Sequence, residues 1–447
     1  MLLKKILHIS LPALSGFLGL ILFDVVDIYW IEKLGGDALS GVAAAGFIVW
    51  SLYSVMNITG GGAASLIAQY NGAKDKEKAW DTAVQAVSLS IFISLAVTSI
   101  AYPNMSLFFD LMGLTPETSA QAISYFKILI CGFVIMYLDM LGGIIFNAYG
   151  DNKISNAIMF VCLVINGVLD PILMFGWLGF PEMGIEGAAW ATLIGHFISL
   201  ILRYAILKRR AYIPPFKDFL TIRHHLYKKI VAIGFPNAAT SWVWSIIYPI
   251  LTRLIAPYGM VHVSAVGVCH RIESFPYYTA VALGIAMTTI VGNAVGKKQT
   301  EEIDKITYTG IRIGTIISLP FAVLFMIYPE YLMKLLTTDL KLISAGASYL
   351  RIIGICEILM AWELVLGGVF TGIGVTGPTL LITVPTTLAR IPAAWFLAEY
   401  CGYGVNGIWA AISFSTALKG VGLLILYRHM RKKRNLANFT FERKIYA

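Results

Sequence analysis

Asp27 and Asp170 each interrupt a run of apolar residues long enough to cross a lipid bilayer. A carboxylate at that depth is costly unless it is neutralised, paired or wet, so each marks a candidate ion or proton site. Along the apolar stretches 12–32 and 156–176, Asp27 lies about fifteen and Asp170 about fourteen residues from the end on the same side, and at ~1.5 Å per residue the depths agree. Asn166 shares a helical face with Asp170 at i,i+4, as Asp24 does with Asp27 at i,i+3. Two chemistries fit such a set. Two carboxylates and an amide carbonyl supply oxygens to a dehydrated sodium ion, and two carboxyls crowded into a dry pocket hold a proton between them. A structural alternative has Asp170, which precedes Pro171, satisfying backbone groups freed at a kink, and makes Asp27 a buried hydrogen-bond anchor. Asp24 is open between lining a cavity and solvating its mouth.

Other ionisable residues in apolar surroundings, Arg253, Arg271, Glu273, Glu357, Glu363, Arg390 and Lys419, fall in the second half of the chain with opposite signs in comparable numbers. That balance predicts internal ion pairs that keep helices assembled. His196 and His270 read as packed, hydrogen-bonded residues. Gly60-Gly61-Gly62 and Gly142-Gly143 follow no strand and precede no Lys-Ser/Thr, which removes a phosphate loop and leaves close helix packing. Cys131, Cys162, Cys269, Cys356 and Cys401 sit in or beside apolar stretches without metal-ligand or disulfide spacing. No His or acidic motif stands at a membrane boundary, so the expectation is a non-enzyme with no cofactor beyond a coupling ion.

The elements that must position Asp27 and Asp170 are membrane helices. Hydrophobic residues make up 58% of the 447 and charged ones 13%, against about 25% charged in soluble domains, and the mean hydropathy is +0.75. Stretches near the ~20 residues a crossing needs recur twelve times, with 123–148 and 349–373 among them, and leave no room for a soluble domain. Lys4 and Lys5 before an apolar run resemble a signal peptide, but the run lacks a small-residue cleavage site and continues past Asp24 and Asp27, so it reads as a retained first helix. The net charge of +9 does not indicate nucleic acid. Its residues gather in alternate loops and at the termini: Lys4 and Lys5, then Lys74, Lys76 and Lys78, the 208–229 segment, Lys297 and Lys298, and the tail from Arg428 to Lys444. That positive-inside pattern puts both termini in the cytoplasm.

Sliding the chain by 224 residues aligns Lys4-Lys5-Ile6 with Lys228-Lys229-Ile230, Pro12 with Pro236, Gly35 with Gly259, Gly60 with Gly284, Gly72 with Gly296 and Lys74 with Lys298. Phe146 and Gly150 match Phe370 and Gly374, and a four-residue adjustment brings Gly184 to Gly187 onto Gly404 to Gly407. An even number of helices separates matching positions, so the halves run the same way through the membrane. The expected fold is an all-α integral membrane protein of twelve helices in two pseudo-symmetric six-helix bundles. Residues 1–207 form the N-terminal lobe, 208–229 a cytoplasmic linker, and 230–447 the C-terminal lobe with a basic tail.

Leu11-Pro12, Asp27-Ile-Tyr-Trp-Ile-Glu-Lys-Leu-Gly35, Ala38-Leu39 and the run from Gly60 to Gly72-Ala73 resemble the first two helices of MATE (multidrug and toxic compound extrusion) transporters. Gly234-Phe-Pro236, Arg271-Ile-Glu273 and Gly292-Asn293-Ala-Val-Gly296 repeat the pattern. The resemblance covers nearly the whole chain and implies export of organic, often cationic, compounds in exchange for protons or sodium ions. The DinF-type branch, with its polar site in the N-lobe, is the nearer match. The segment Asn237 to Ser245 lacks the helix 7 glutamate of the other branch, and Val375 stands where an aspartate is common. By this resemblance Asp27, Asn166 and Asp170 couple transport to a proton or a sodium ion, and Tyr125 and Thr192 join Asp24 as cavity-lining candidates. It also implies a monomer in the plasma membrane, surrounded by lipid, that takes small organic substrates and no nucleic acid. The nearest different function is a lipid-linked precursor flippase, for which a more basic cavity and extra C-terminal helices are expected.

Overall fold

Every regular element is helical, with no strand among the described residues, 2–213 and 222–432 of this computed structural model. The helices are α1 (Leu2–Glu32), α2 (Gly36–Gly72), α3 (Lys76–Ala101), α4 (Met105–Leu111), α5 (Pro116–Cys131), α6 (Phe133–Tyr149), α7 (Asn152–Met174) and α8 (Ile185–Arg209). They continue as α9 (His224–Ile255), α10 (Met260–Gly296), α11 (Thr300–Ile327), α12 (Pro329–Lys334), α13 (Leu340–Gly354), α14 (Glu357–Ile373), α15 (Gly377–Trp395) and α16 (Val405–Lys432). Pro214 and Pro215 of the expected linker, most of the basic tail and the side chain of Asp24 lie outside the described residues.

Nine single helices among the described residues, and two bent pairs, are long and apolar enough to cross a membrane. Helix α1, with 31 residues, covers the remaining expected span. Leu22, Trp50, Val164, Ile316 and Leu381 are 62–74% exposed. Large apolar side chains turn outward in such numbers where the surrounding solvent is lipid, while the helices satisfy their own backbone groups.

The two bent pairs correct the sequence reading, which took 123–148 and 349–373 as single helices. Helices α5 and α6 meet at 59°, and α13 and α14 at 55°. The apolar run continues through each break, so hydropathy does not register it. The joints, at Gly132 and Cys356, are themselves 224 residues apart. At Gly132 a Cβ would come within 2.2 Å of Leu193 Cδ1, so the first joint presses on α8 with nothing to spare for a side chain.

The repeat reaches down to backbone torsions. Gly35 and Gly259 have φ of 110° and 112°, Gly150 and Gly374 85° and 86°, Gly184 and Gly404 both 56°. Lys74 and Lys298 take φ of 60° and 58°, a left-handed conformation that is uncommon for a residue with a Cβ.

By contacts the chain forms two compact units: Leu11–Asn71 with Asp75–Phe235, and Met1–Ser10 with Gly72–Lys74 and Pro236–Ala447. The first packs a core of Phe109, Phe126, Phe133, Tyr137 and Met174 with Ala188 and Ala189 of α8. The second has two clusters, one around Leu283, Met287, Val369, Phe370 and Tyr427 that takes in Ile6 and Ile9 from the start of α1, the other around Cys269, Phe325, Tyr349 and Trp409.

Candidate ion-coupling site

Small residues let α1 lie close along α7 within the first unit. A Cβ on Gly16 would fall 2.7 Å from Asn156 Oδ1, one on Gly19 3.1 Å from Leu163 Cδ1, and one on Gly167 3.3 Å from Val26 Cγ1. The amide of Asn156 donates to the Pro12 carbonyl at the start of this contact. Asp27 follows Val26, and its carboxyl group interacts directly with that of Asp170 on α7. Both are buried, Asp27 at 8% exposure and Asp170 at 0%.

Asn166 organises the remainder. Its Nδ2 donates to Asp170 Oδ1 at 3.2 Å and to Thr192 Oγ1 at 3.3 Å, while its Oδ1 accepts no hydrogen bond among the described residues although the residue is 1% exposed. Asp170 Oδ2 likewise has no hydrogen-bond partner there. Thr192 comes within reach because α8 presses on α7, with a Cβ at Gly187 falling 2.6 Å from Leu173 C and one at Gly195 3.2 Å from Cys162 O. Tyr125, 6% exposed on α5, shares a hydrogen bond with Thr192 and lies within electrostatic reach of both aspartates. All five side chains therefore form one buried network. Asp170 is not occupied in satisfying the backbone beside Pro171, since one oxygen accepts from Asn166 and the other bonds to no described group. A buried carbonyl and carboxylate oxygen left without donors suit a cation or proton, because such groups are otherwise costly.

A second polar cluster in the same unit escaped the sequence reading. Asp139 on α6 accepts from Arg203 Nε and Ser199 Oγ, both at 2.6 Å, and pairs with His196 Nδ1 at 2.9 Å. Arg203 also donates to Ser155 Oγ at 3.0 Å. Its guanidinium rests on Gly142 and Gly143, where a Cβ would come within 3.0 Å of Arg203 Cδ or 3.1 Å of its Nη1; that seat explains the glycine pair. Asp139 obeys the same rule that singles out Asp27, an acid inside an apolar run.

In the second unit the expected ion pairing holds at one place. Lys419 Nζ donates to Glu363 Oε1 at 2.8 Å. Arg390 instead donates to Ser415 and Thr416 at 2.8 and 3.2 Å, and both cations stack on Trp244, with Arg390 4.7 Å and Lys419 4.4 Å from the ring. Glu273 accepts from the Tyr349 hydroxyl at 3.2 Å and lies 3.6 Å from His270. Arg253 and Arg271 are exposed. Glu357 is 1% exposed with neither oxygen hydrogen-bonded among the described residues.

At the repeat offset of 224, Glu363 matches Asp139, so each half carries a buried acid on the second arm of its bent pair, joined to a base on its last helix. The coupling residues have no such counterparts. Asp27 falls on Leu251, Asn166 on Arg390 and Asp170 on Ala394.

A two-repeat helical membrane protein with a buried, incompletely bonded carboxylate pair in one repeat is a secondary transporter rather than an enzyme. The MatE family model matches residues 12–172 and 236–396, two blocks set 224 residues apart that cover more than two thirds of the chain. The chain belongs to the MatE family. It is 26% identical over 422 residues to a Thermotoga maritima protein named "Probable multidrug resistance protein NorM", covering 93% of this chain and 91% of that one. With the Bacillus subtilis "Probable multidrug resistance protein YoeA" it shares 24% over 400 residues, 88% and 86% of the two chains. Among solved structures, a MOP superfamily transporter from Pyrococcus furiosus, described as having a binding pocket of reversed polarity, superposes with a TM-score of 0.88 at 25% identity over 97% of this chain and 96% of that chain. An outward-facing multidrug resistance MATE transporter gives 0.88 at 25% over 98% and 96%.

Proposed function

We propose that the protein exports small organic, often cationic, compounds from the cell by antiport with protons or sodium ions, with Asp27, Asn166 and Asp170 as the coupling site and Tyr125 and Thr192 lining the cavity beside it. The observation that carries this reading is Asp27 facing Asp170 beside an Asn166 oxygen that accepts no bond. A proton on the pair removes the repulsion between its carboxylates, and at least one of the two is protonated in the state that releases the ion inward. Sodium would find oxygens from the same three residues. Either ion drives transport only by binding the inward-open and outward-open states with different affinity.

The multidrug resistance names of the NorM and YoeA relatives support the substrate class. The basic residues at Lys74 to Lys78, Lys208 to Arg210 and Lys297 to Lys298 support a plasma-membrane orientation with both termini in the cytoplasm. The working unit is a lipid-embedded monomer, with lobes 1–207 and 230–447 joined by 208–229, and it has no nucleic-acid partner.

The test is substrate efflux from proteoliposomes, driven first by a pH gradient without sodium and then by a sodium gradient at equal pH. Asp27→Asn is expected to lose most ion-driven efflux at near-normal yield. Full activity in that variant removes the coupling assignment, and wild-type protein that responds to neither gradient makes a lipid-linked precursor flippase the better reading.

A further inference from the structure

Part of the Asp139 cluster is scaffold, since Glu363 and Lys419 repeat its acid–base pair in the other half. His196 is not: Thr416 stands at its repeat position. Along α8, Thr192, His196, Ser199 and Arg203 succeed one another at i, i+4, i+7 and i+11, a single helical face. That face leads from the Asp27 and Asp170 network, which Thr192 joins through Asn166, toward the basic end of the helix at Lys208 and Arg209. From Thr192 to Arg203 it spans ~16 Å.

The bonding of His196 is uneven. Asp139 accepts from Arg203 Nε and Ser199 Oγ, so it is a carboxylate and the His196 Nδ1 beside it is the donor. Nε2 is then the nitrogen with the free lone pair, and it bonds to no described residue in a side chain that is 21% exposed. A packing histidine satisfies both nitrogens or buries both. Here one nitrogen is held by an anion and the other is open, the arrangement in which an imidazole gains a proton without losing its position.

We infer that His196 is a proton-relay residue, passing protons between the Asp27 and Asp170 pair and the Arg203 end of α8; the inference rests on the coupling site proposed above. A proton leaves a carboxyl of the pair, crosses the one helical turn between Thr192 and His196, about 5.4 Å and within the span of one hydrogen-bonded water, and binds Nε2. The pair becomes an anion and the ring a cation, which Asp139 stabilises; Nε2 then returns the proton to water. The ionisable groups facing this stretch of α8 are Tyr125 from α5, Asp139 from α6, and Cys162 and Asp170 from α7, with Arg203 on α8 itself. Gly195, between Thr192 and His196 in sequence, keeps α7 and α8 in backbone contact beside the relay.

His196→Gln retains an amide donor for Asp139 and removes the titrating ring. In proteoliposomes, efflux driven by a pH gradient is expected to fall at least about tenfold and to lose its pH dependence between about pH 5 and 8. Substrate counterflow at equal pH, which needs no net proton movement, and the melting temperature are expected to stay at wild-type values. Proton-driven efflux at the wild-type rate overturns the relay, as does a joint loss of counterflow and melting temperature, or wild-type transport driven by sodium alone. Asp27→Asn measured alongside separates the two ideas. If that variant transports normally, the coupling site is wrong; if it is inactive while His196→Gln is normal, only the relay is wrong.

Discussion

Gly367 and Gly368 are neighbours on α14 with opposite surroundings, and substituting each by alanine tests how the second unit is packed. A Cβ on Gly368 would stand 2.1 Å from Gly284 O and 2.8 Å from Gly284 C, because α10 and α14 cross there backbone to backbone. Ordinary contact begins at 3.4 Å, so Gly368→Ala requires the helices to part by about 0.9–1.3 Å, a strain of about 1–3 kcal/mol. Parting them also loosens Thr288, whose hydroxyl bridges the crossing at 3.1 Å from Gly284 O and 3.0 Å from Gly368 O, at about 1 kcal/mol. For a unit of this size the sum lowers the melting temperature by roughly 4–16 °C. At Gly367 a Cβ meets nothing within 4 Å, and alanine gains about 1 kcal/mol over glycine within a helix. Gly367→Ala is therefore expected to melt at or slightly above the wild type. The assay is the monodisperse fraction that survives heating in detergent, read by size-exclusion chromatography. A Gly368→Ala protein as stable as wild type, or a Gly367→Ala protein equally weakened, refutes the close crossing.

Two acids of the second unit are expected to respond in opposite directions. Glu363→Gln leaves Lys419, 0% exposed, without its counter-charge beside Arg390, and is expected to cost about 3–5 kcal/mol, largely recovered when Lys419→Met is added. A single variant that melts like wild type would show that the pair does not hold these helices. Glu357→Met removes a buried carboxyl with no hydrogen-bond partner among the described residues, so the melting temperature should rise. A fall would show that the carboxyl has an interaction of its own.

The crossings and the duplication were legible because their signals are local. Apolar runs mark helices one at a time, and Gly35, Gly150 and Gly184 recur at fixed distance because each turn needs a positive φ. The bends at Gly132 and Cys356 were not legible, since both arms are apolar and the joint depends on what presses against it. For Asp27 and Asp170, sequence supplied the matching depth; that α1 lies against α7 depends on Gly16, Gly19 and Gly167 acting together. Asp139 was missed although the rule that found Asp27 applies to it, and the spacing of His196, Ser199 and Arg203 on α8 was the available signal. In the second half, composition correctly implied that opposite charges meet. It could not say that Trp244 would stack with two cations while Glu357 went without a hydrogen-bond partner, because those choices are made between helices far apart in the chain.

Arg390, at the repeat position of Asn166, has one more implication. A guanidinium does not release its proton in a protein, so the second half carries its positive charge as part of its own chain, bonded to Ser415 and Thr416. Under the proposed coupling, the first half can be charged and discharged while the second stays permanently loaded. Duplication made two copies of a seat, and the arginine turned one of them into ballast. An ion gradient can then do work on only one side of an otherwise twofold design, and a search for a second coupling ion should not begin at the twin of the first.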